Sequence, residues 1–229
     1  MTISMRTIFQ GALAAIAVSM SLVSQPVAAA DIGPYMGADF GRAPNSYRRA
    51  DFDAALAATF NETTAVESTS VRKNDLVWSV SAGYQASPHF GLEVSYLNLG
   101  TVRYRAVGTR TLPSETQALS VDIDVRSRGP ALSLLWAWPV SRTWALDVRA
   151  GAYSAKTSTK LTLAIDSNAT SDRDSTSSAS LLLGFGGRYA VSEHLAVRLD
   201  YLHVHQVDEK VLEKPFNVDV VTAGLTYAF

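Results

Sequence analysis

Apolar and polar residues alternate at every second position through much of this chain. A two-residue period marks strands whose two faces meet different surroundings. Phe90, Leu92, Val94 and Tyr96 share one face, with Gly91, Glu93 and Ser95 opposite. Trp144, Leu146, Val148, Ala150 and Ala152 oppose Ala145, Asp147, Arg149, Gly151 and Tyr153. Leu195, Val197, Leu199 and Tyr201 oppose Ala196, Arg198 and Asp200. An earlier run sets Met36, Ala38 and Phe40 against Tyr35, Gly37 and Asp39. The final run sets Val221, Ala223, Leu225, Tyr227 and Phe229 against Val220, Thr222, Gly224, Thr226 and Ala228. A terminal strand with a large apolar residue at its tip needs something to bury that face.

Three of these runs belong to a repeated unit. Val80 to Tyr96, Leu134 to Ala150 and Phe185 to Tyr201 each carry an aromatic (Tyr84, Trp138, Tyr189), then a serine in a turn (Ser87, Ser141, Ser192). An apolar residue (Phe90, Trp144, Leu195) then opens the next strand. The unit recurs about every fifty residues, as repeated hairpins do. Three hairpins and two flanking strands predict eight strands.

An even number of amphipathic strands, each about 9–11 residues long, is what a transmembrane barrel requires. Closure leaves no unpaired backbone edge in lipid, so the expected fold is all-β, an eight-stranded antiparallel transmembrane barrel with short periplasmic turns and long extracellular loops. Tyr84, Phe90, Trp136, Trp138, Trp144, Tyr189, Tyr227 and Phe229 gather at one interface, and Trp78, Tyr96 and Tyr201 at the other. The same alternation fits a soluble sandwich or lipocalin-like barrel with its apolar faces inward. The leader sequence, the aromatic girdle and the asymmetry of short turns and long loops favour the membrane form.

That leader is Arg6, then an apolar stretch from Ile8 to Val23, then Ala28-Ala29-Ala30 before Asp31. It reads as a cleaved signal peptide over residues 1–30, with a barrel domain over 31–229 and export to the bacterial outer membrane. Cysteine is absent, which excludes disulfides and thiolate chemistry. The 20 basic and 21 acidic residues leave a formal net charge of −1 and no footprint for nucleic acid.

Several stretches carry a family resemblance. FGLEVSYLNLG, WPVSRTWALDVRAGAY and EHLAVRLDY resemble strands of the outer membrane protein A family, and PYMGADFG resembles its first strand. The resemblance covers most of the mature chain and is specific for barrel type. It implies that Leu225, Tyr227 and Phe229 form the terminal signal read by the barrel-assembly machinery, after delivery by periplasmic chaperones. It also implies a lumen glutamate and arginine at Glu93 and Arg198. The peptidoglycan-binding function of larger members is not expected to carry over to the barrel read here. A monomer in contact with outer-membrane lipid and lipopolysaccharide is expected.

The inward set of such a barrel is Asp39, Glu93, Asp147, Arg149, Arg188, Arg198 and Asp200, with Ser81, Ser95, Ser133, Thr222 and Thr226. An eight-stranded barrel is just wide enough for side chains to fill. Charges held there must pair, since an unpaired buried charge is costly. The network reads as a static plug or as a narrow gated ion path, and the plug is favoured.

Alternation continues past bilayer thickness through Gly100, Val102, Tyr104 and Ala106. It continues again through Leu119, Val121, Ile123 and Val125, and through Thr157, Thr159, Leu161, Leu163 and Ile165. A parity change at SRGP predicts a bulge at Gly129-Pro130, and another falls near Tyr153. Two hairpins should therefore project, tipped near GTRTLPSETQ and DSNATSDRDS. The longest loop, Arg42 to Asp75, is expected to hold a short helix around DFDAALAATF. A host or surface ligand would bind at these loops, by adhesion of strand edges, unless the tips only shield the barrel.

Other chemistry is weakly supported. His203-x-His205 lies near Glu209 at the outer rim, but no serine completes the site a lipid A-modifying barrel enzyme would need. A third metal ligand is not evident, and Asp166, Asp172 and Asp174 match no EF-hand spacing. The expectation is no enzyme, no metal and no cofactor.

Overall fold

The computed structural model describes residues 32–44, 53, 64–72, 76–111, 116–166, 168–207 and 216–229. The leader therefore lies outside the described residues, as does all of the proposed loop helix except Asp53, which is helical. The strands are β1 (Gly33–Arg42), β2 (Thr64–Arg72), β3 (Val77–Gln85), β4 (Phe90–Thr111), β5 (Thr116–Pro139), β6 (Trp144–Ile165), β7 (Asn168–Ala190), β8 (Leu195–Val207) and β9 (Phe216–Ala228). All pairings are antiparallel. β1 pairs with both β3 and β9, and β4 with β5, so β1 and β3–β9 close a ring of eight. β2 stands outside that ring. It pairs with the outer half of β4, from Thr64↔Arg110 to Arg72↔Arg103, within the stretch read as a loop.

The three repeated turns share one construction. Ser87, Ser141 and Ser192 each accept, through Oγ, the backbone N–H three residues on, from Phe90 (3.0 Å), Trp144 (3.0 Å) and Leu195 (3.1 Å). The backbone closes each turn with Ala86 N–H to Phe90 O (2.8 Å), Val140 N–H to Trp144 O (2.9 Å) and Val191 N–H to Leu195 O (2.8 Å). A hydroxyl that imitates a turn carbonyl is why serine recurs in the sequence repeat.

Outward side chains around the ring are apolar and exposed: Met36, Phe40, Val80, Leu92, Val94, Leu132, Leu134, Leu146, Val148, Leu183, Phe185, Leu199 and Leu225. Leu134 and Phe185 are 66% and 62% exposed, which is tolerable only where lipid is the solvent. Aromatic pairs frame the band. Phe90–Trp136 (4.7 Å between ring centroids) and Trp144–Tyr189 (4.9 Å) lie at the short-turn end, with Trp78–Tyr96 (6.0 Å) and Phe185–Tyr201 (5.1 Å) toward the other.

β4 to β7 continue far beyond this band, and with β2 they form a five-stranded outer sheet. Here two expectations are corrected. In β5 the odd residues from Leu119 to Ala137 are buried without interruption, so no parity change occurs at SRGP. In β6 the odd residues from Ala145 to Thr159 likewise face in, apart from half-buried Gly151, straight through Tyr153. The backbone keeps its register while the chemistry inverts. Outside changes from lipid to water, so the outward residues change from Leu132 and Leu134 to Asp122, Asp124 and Arg126. The inward ones change from Ser133 to Val121, Ile123 and Val125. The real bulge is in β4, where Leu99 and Gly100 intervene between the pairs Asn98↔Arg128 and Thr101↔Arg126. Gly100 takes φ 82, and its N–H donates to Asn98 Oδ1 (3.0 Å). A positive φ at a bulge is where glycine costs least.

Candidate functional site

Strand parity places the inward charged residues, and glycines on neighbouring strands make room for Asp39 and Asp200. A Cβ on Gly224 would come 2.2 Å from Asp39 Oδ1, and one on Gly186 would come 2.0 Å from Asp200 Oδ1. The seven residues named from sequence are all buried, and all take part in ion pairs. Arg188 holds Asp147 with two parallel bonds, Nε–Oδ2 and Nη2–Oδ1, both 2.8 Å. The other five form one cluster. Arg198 donates to Asp39 Oδ1 (Nε, 3.0 Å) and Glu93 Oε2 (Nη1, 2.8 Å), contacts Asp39 Oδ2 through Nη2, and lies 2.9 Å from Asp200 Oδ2. Arg149 reaches Glu93 Oε1 (2.8 Å) and Asp200 Oδ2 (3.6 Å). Ser79 Oγ donates to Asp39 Oδ2 (2.8 Å), and Tyr35 Oη to Glu93 Oε2 (3.1 Å).

Asp39, Glu93, Arg149 and Arg198 sit on β1, β4, β6 and β8, which are alternate strands of the ring. Four side chains from alternate strands make one filled layer of a narrow barrel. Moving outward, the inward positions become apolar. Val77, Leu97, Leu99, Ala131, Tyr153, Ala155, Leu182, Leu202, Val204, Val218 and Val220 form one buried cluster, and Ala43 packs on it. These residues come from seven ring strands and the end of the eighth. The sequence reading missed this second layer.

Farther out, Val102, Tyr104, Ala106, Val121, Ile123 and Val125 form a separate buried cluster against Val71 and Leu163. Tyr104 Oη donates to Asp53 Oδ1 (2.7 Å), which ties a residue of the first loop to the sheet. At the β6–β7 tip Ile165 pairs with Asn168, so the stretch of DSNATSDRDS from Asn168 onward lies in strand. Asp166 takes φ 50 there, and its Oδ1 accepts the Ala118 N–H at 2.9 Å.

A ring of eight amphipathic strands with an apolar outer band, serine-turn hairpins and a charged lumen layer is matched by one family over residues 31–229, the OmpA-like transmembrane domain. The chain belongs to that family. OmpA-like membership and the closed ring place the protein in the outer membrane of a Gram-negative bacterium, in contact with its lipid and lipopolysaccharide. No curated protein sequence matches the chain. Among solved structures it is similar to Neisserial surface protein A (16% identity over 86% of this chain and 97% of that one, TM-score 0.49). It is also similar to Ail, the attachment invasion locus protein of Yersinia pestis (12%, 87% and 100%, TM-score 0.47). A third is the outer membrane protein OprG from Pseudomonas aeruginosa (14%, 88% and 99%, TM-score 0.46).

The outer rim brings together residues that sequence spacing left apart. His203 Nδ1 lies 2.7 Å from Asp219 Oδ1, the same oxygen that accepts the Tyr201 hydroxyl at 2.7 Å. Asp219 is the Cα partner of His203 across β8–β9, a neighbour visible only once the register is known. The His203 and His205 rings stack with centroids 6.1 Å apart. Glu209 lies outside the described residues. Among the described residues, no group of three or more His, Asp or Glu side chains could hold a metal.

Proposed function

We propose that the protein is a closed barrel presenting a rigid β-sheet at the cell surface, where it makes contacts and does not catalyse a reaction. The carrying observation is the inverted outer sheet, which buries apolar residues on its inner face and shows Arg103, Arg105, Asp122 and Asp124 to water. Such a sheet is built to stand in solvent on a membrane base. It offers open edges, because among the described residues β2 pairs with β4 alone and Asn168–Ser180 of β7 pair with β6 alone. An open edge can accept a strand from a partner, with backbone groups giving affinity and little sequence demand.

Closure of the lumen to ions is supported by two stacked layers. In the charged layer every carboxylate meets a guanidinium group, and the apolar layer beyond it resists wetting. Against catalysis, the Asp219 oxygen that His203 meets also accepts the Tyr201 hydroxyl, so this carboxylate is shared with a phenol.

Protease added to intact cells should cut within residues 108–117 or near Asp166 and spare the ring. Removing the two projecting hairpins should abolish attachment to surfaces or host proteins while the barrel still assembles. Unchanged attachment would leave a structural role alone. Steady single-channel currents in planar bilayers would replace the closed barrel with a channel, and altered lipid A in an overexpressing strain would restore the enzyme.

A further inference from the structure

The charges inside the lumen do not balance. Among the described residues the buried set holds four carboxylates, Asp39, Glu93, Asp147 and Asp200, against three guanidinium groups, Arg149, Arg188 and Arg198. Arg188 and Asp147 cancel as a pair. The surplus therefore sits in the cluster where Arg149 and Arg198 meet Asp39, Glu93 and Asp200. With all five groups ionised one negative charge is left over, and buried net charge is costly. A second observation concerns lone pairs. Ser81 Oγ, Gln85 Oε1, Ser133 Oγ and Thr226 Oγ1 are buried without a hydrogen-bond partner, and among the described residues no buried side-chain nitrogen is. Two of these oxygens converge on one hole. Gly37 is the inward position of β1 between Tyr35 and Asp39. The point that a Cβ would occupy there lies 2.7 Å from Ser81 Oγ, 3.6 Å from Thr226 Oγ1 and 3.4 Å from the Leu225 carbonyl oxygen. Ser81 and Thr226 are the Cα partners of Gly37 on β3 and β9, and each is 6% exposed. Asp39 follows one inward step farther, about 7 Å along the strand. Tyr35 and Thr226 also line a cleft at the short-turn end, together with Gln85 and the exposed Glu193.

We propose that the short-turn end of the lumen binds one monovalent metal cation, seated over Gly37 between Ser81 Oγ and Thr226 Oγ1. The surplus carboxylate charge of the cluster is its counter-ion. Protein oxygens replace the hydration shell of such an ion, and hydroxyl oxygens keep a lone pair for that purpose. One positive charge is missing, so a monovalent ion restores neutrality where a divalent ion overshoots it. Gln85 Oε1, whose amide Nε2 is committed to the Ser87 carbonyl at 2.8 Å, offers a further lone pair on the cleft wall. The ion enters from the periplasmic side and goes no farther than the cluster. Beyond it the apolar layer of Val77, Leu97, Tyr153, Leu182 and Val204 gives an ion no ligand. Binding without passage is thus compatible with a closed lumen, and it is independent of the contact role proposed above.

The test folds the full chain into lipid vesicles and follows its urea unfolding at constant ionic strength. Sodium, potassium or the bulky N-methylglucamine is the sole cation. Sodium or potassium should stabilise the barrel along a one-site saturation curve, by roughly a hundredfold in the folding constant at a hundred times Kd. N-methylglucamine should not. Thr226→Val and Ser81→Ala remove a ligand oxygen without changing charge, and deleting an unpartnered buried hydroxyl leaves folding intact. Each should lose most of the cation dependence, whereas Asp122→Asn on the outer sheet should keep it. Crystals of the unmodified protein soaked in thallium(I) should show an anomalous peak over Gly37. Equal stability in all three cations would overturn the proposal, as would undiminished cation dependence in both hydroxyl variants. Stabilisation by one added proton, with no response to cation identity, would overturn it too, because the surplus charge would then be held by a shared proton.

Discussion

Arg198 and Glu93 face each other across the full width of the barrel, and the 2.8 Å contact between Nη1 and Oε2 bridges the lumen. Their strands, β8 and β4, are four places apart in a ring of eight. A pair that spans a diameter fixes the cross-section of the tube, whereas neighbours such as Asp147 and Arg188 fix only one seam.

This asymmetry separates the arginines. Arg198→Ala removes the partner of Asp39, Glu93 and Asp200 together, and should lower stability by about 3–5 kcal/mol, the cost of stranding buried charge. Arg149→Ala leaves Arg198 beside both Glu93 and Asp200, so its loss should be smaller. Urea unfolding in lipid vesicles, followed by tryptophan fluorescence, orders the two. Equal losses would mean that the five-membered cluster shares its charge without a centre.

The inversion along β5 predicts opposite responses on one strand. Leu134→Arg places a charge in the apolar band and should cost about 2–4 kcal/mol in folding into bilayers. Asp124→Leu, ten residues outward on the same face, should change folding little. The same vesicle titration measures both.

Gly100 carries the bulge that turns β4 from its lipid-facing to its water-facing segment. Gly100→Val forces a branched side chain to a positive φ and should cost about 1–3 kcal/mol. The damage should be local. Hydrogen exchange should quicken in Val102–Thr109 and Leu119–Arg126, while amides around Glu93 and Ser133 stay protected.

The turn serines are predicted to act alike. Replacing Ser87, Ser141 or Ser192 by Ala deletes one hydroxyl acceptor each and should cost about 0.5–1.5 kcal/mol per site. A chevron series on the three single variants, read against the unmodified chain, compares them directly.

How much of this was legible depended on whether two faces differed. Glu93, Asp147, Arg149, Arg198 and Asp200 stood out because a charge alternated with Leu, Val or Trp; period two put them on one face, and the leader and aromatic girdle made that face the inward one. The outer apolar layer stayed hidden because both faces are apolar there. Leu181-Leu182-Leu183 gives no alternation, although a short unbroken apolar run is itself the mark of a strand buried on both sides. The apparent parity changes at SRGP and Tyr153 arose from reading a change of solvent as a change of register, since hydropathy reports the surroundings and not the backbone. β2 escaped because its pairing with β4 is set by tertiary contact, and TAVESTSVR alternates weakly. The bond between His203 and Asp219 needed the β8–β9 register, which no local pattern encodes.

The charged layer also has a history in time. Asp39 lies 159 residues before Arg198, and the seam between β1 and β9 joins the two ends of the sheet. No partial sheet lacking that seam can hold Arg198 in all its contacts, so every earlier intermediate leaves carboxylates or guanidinium groups uncompensated beside hydrocarbon. Non-local pairing of this kind is slow to form. Closing that seam brings Asp39 to Arg198, and a chain whose ring is open there carries an electrostatic penalty that disappears when the first strand meets the last.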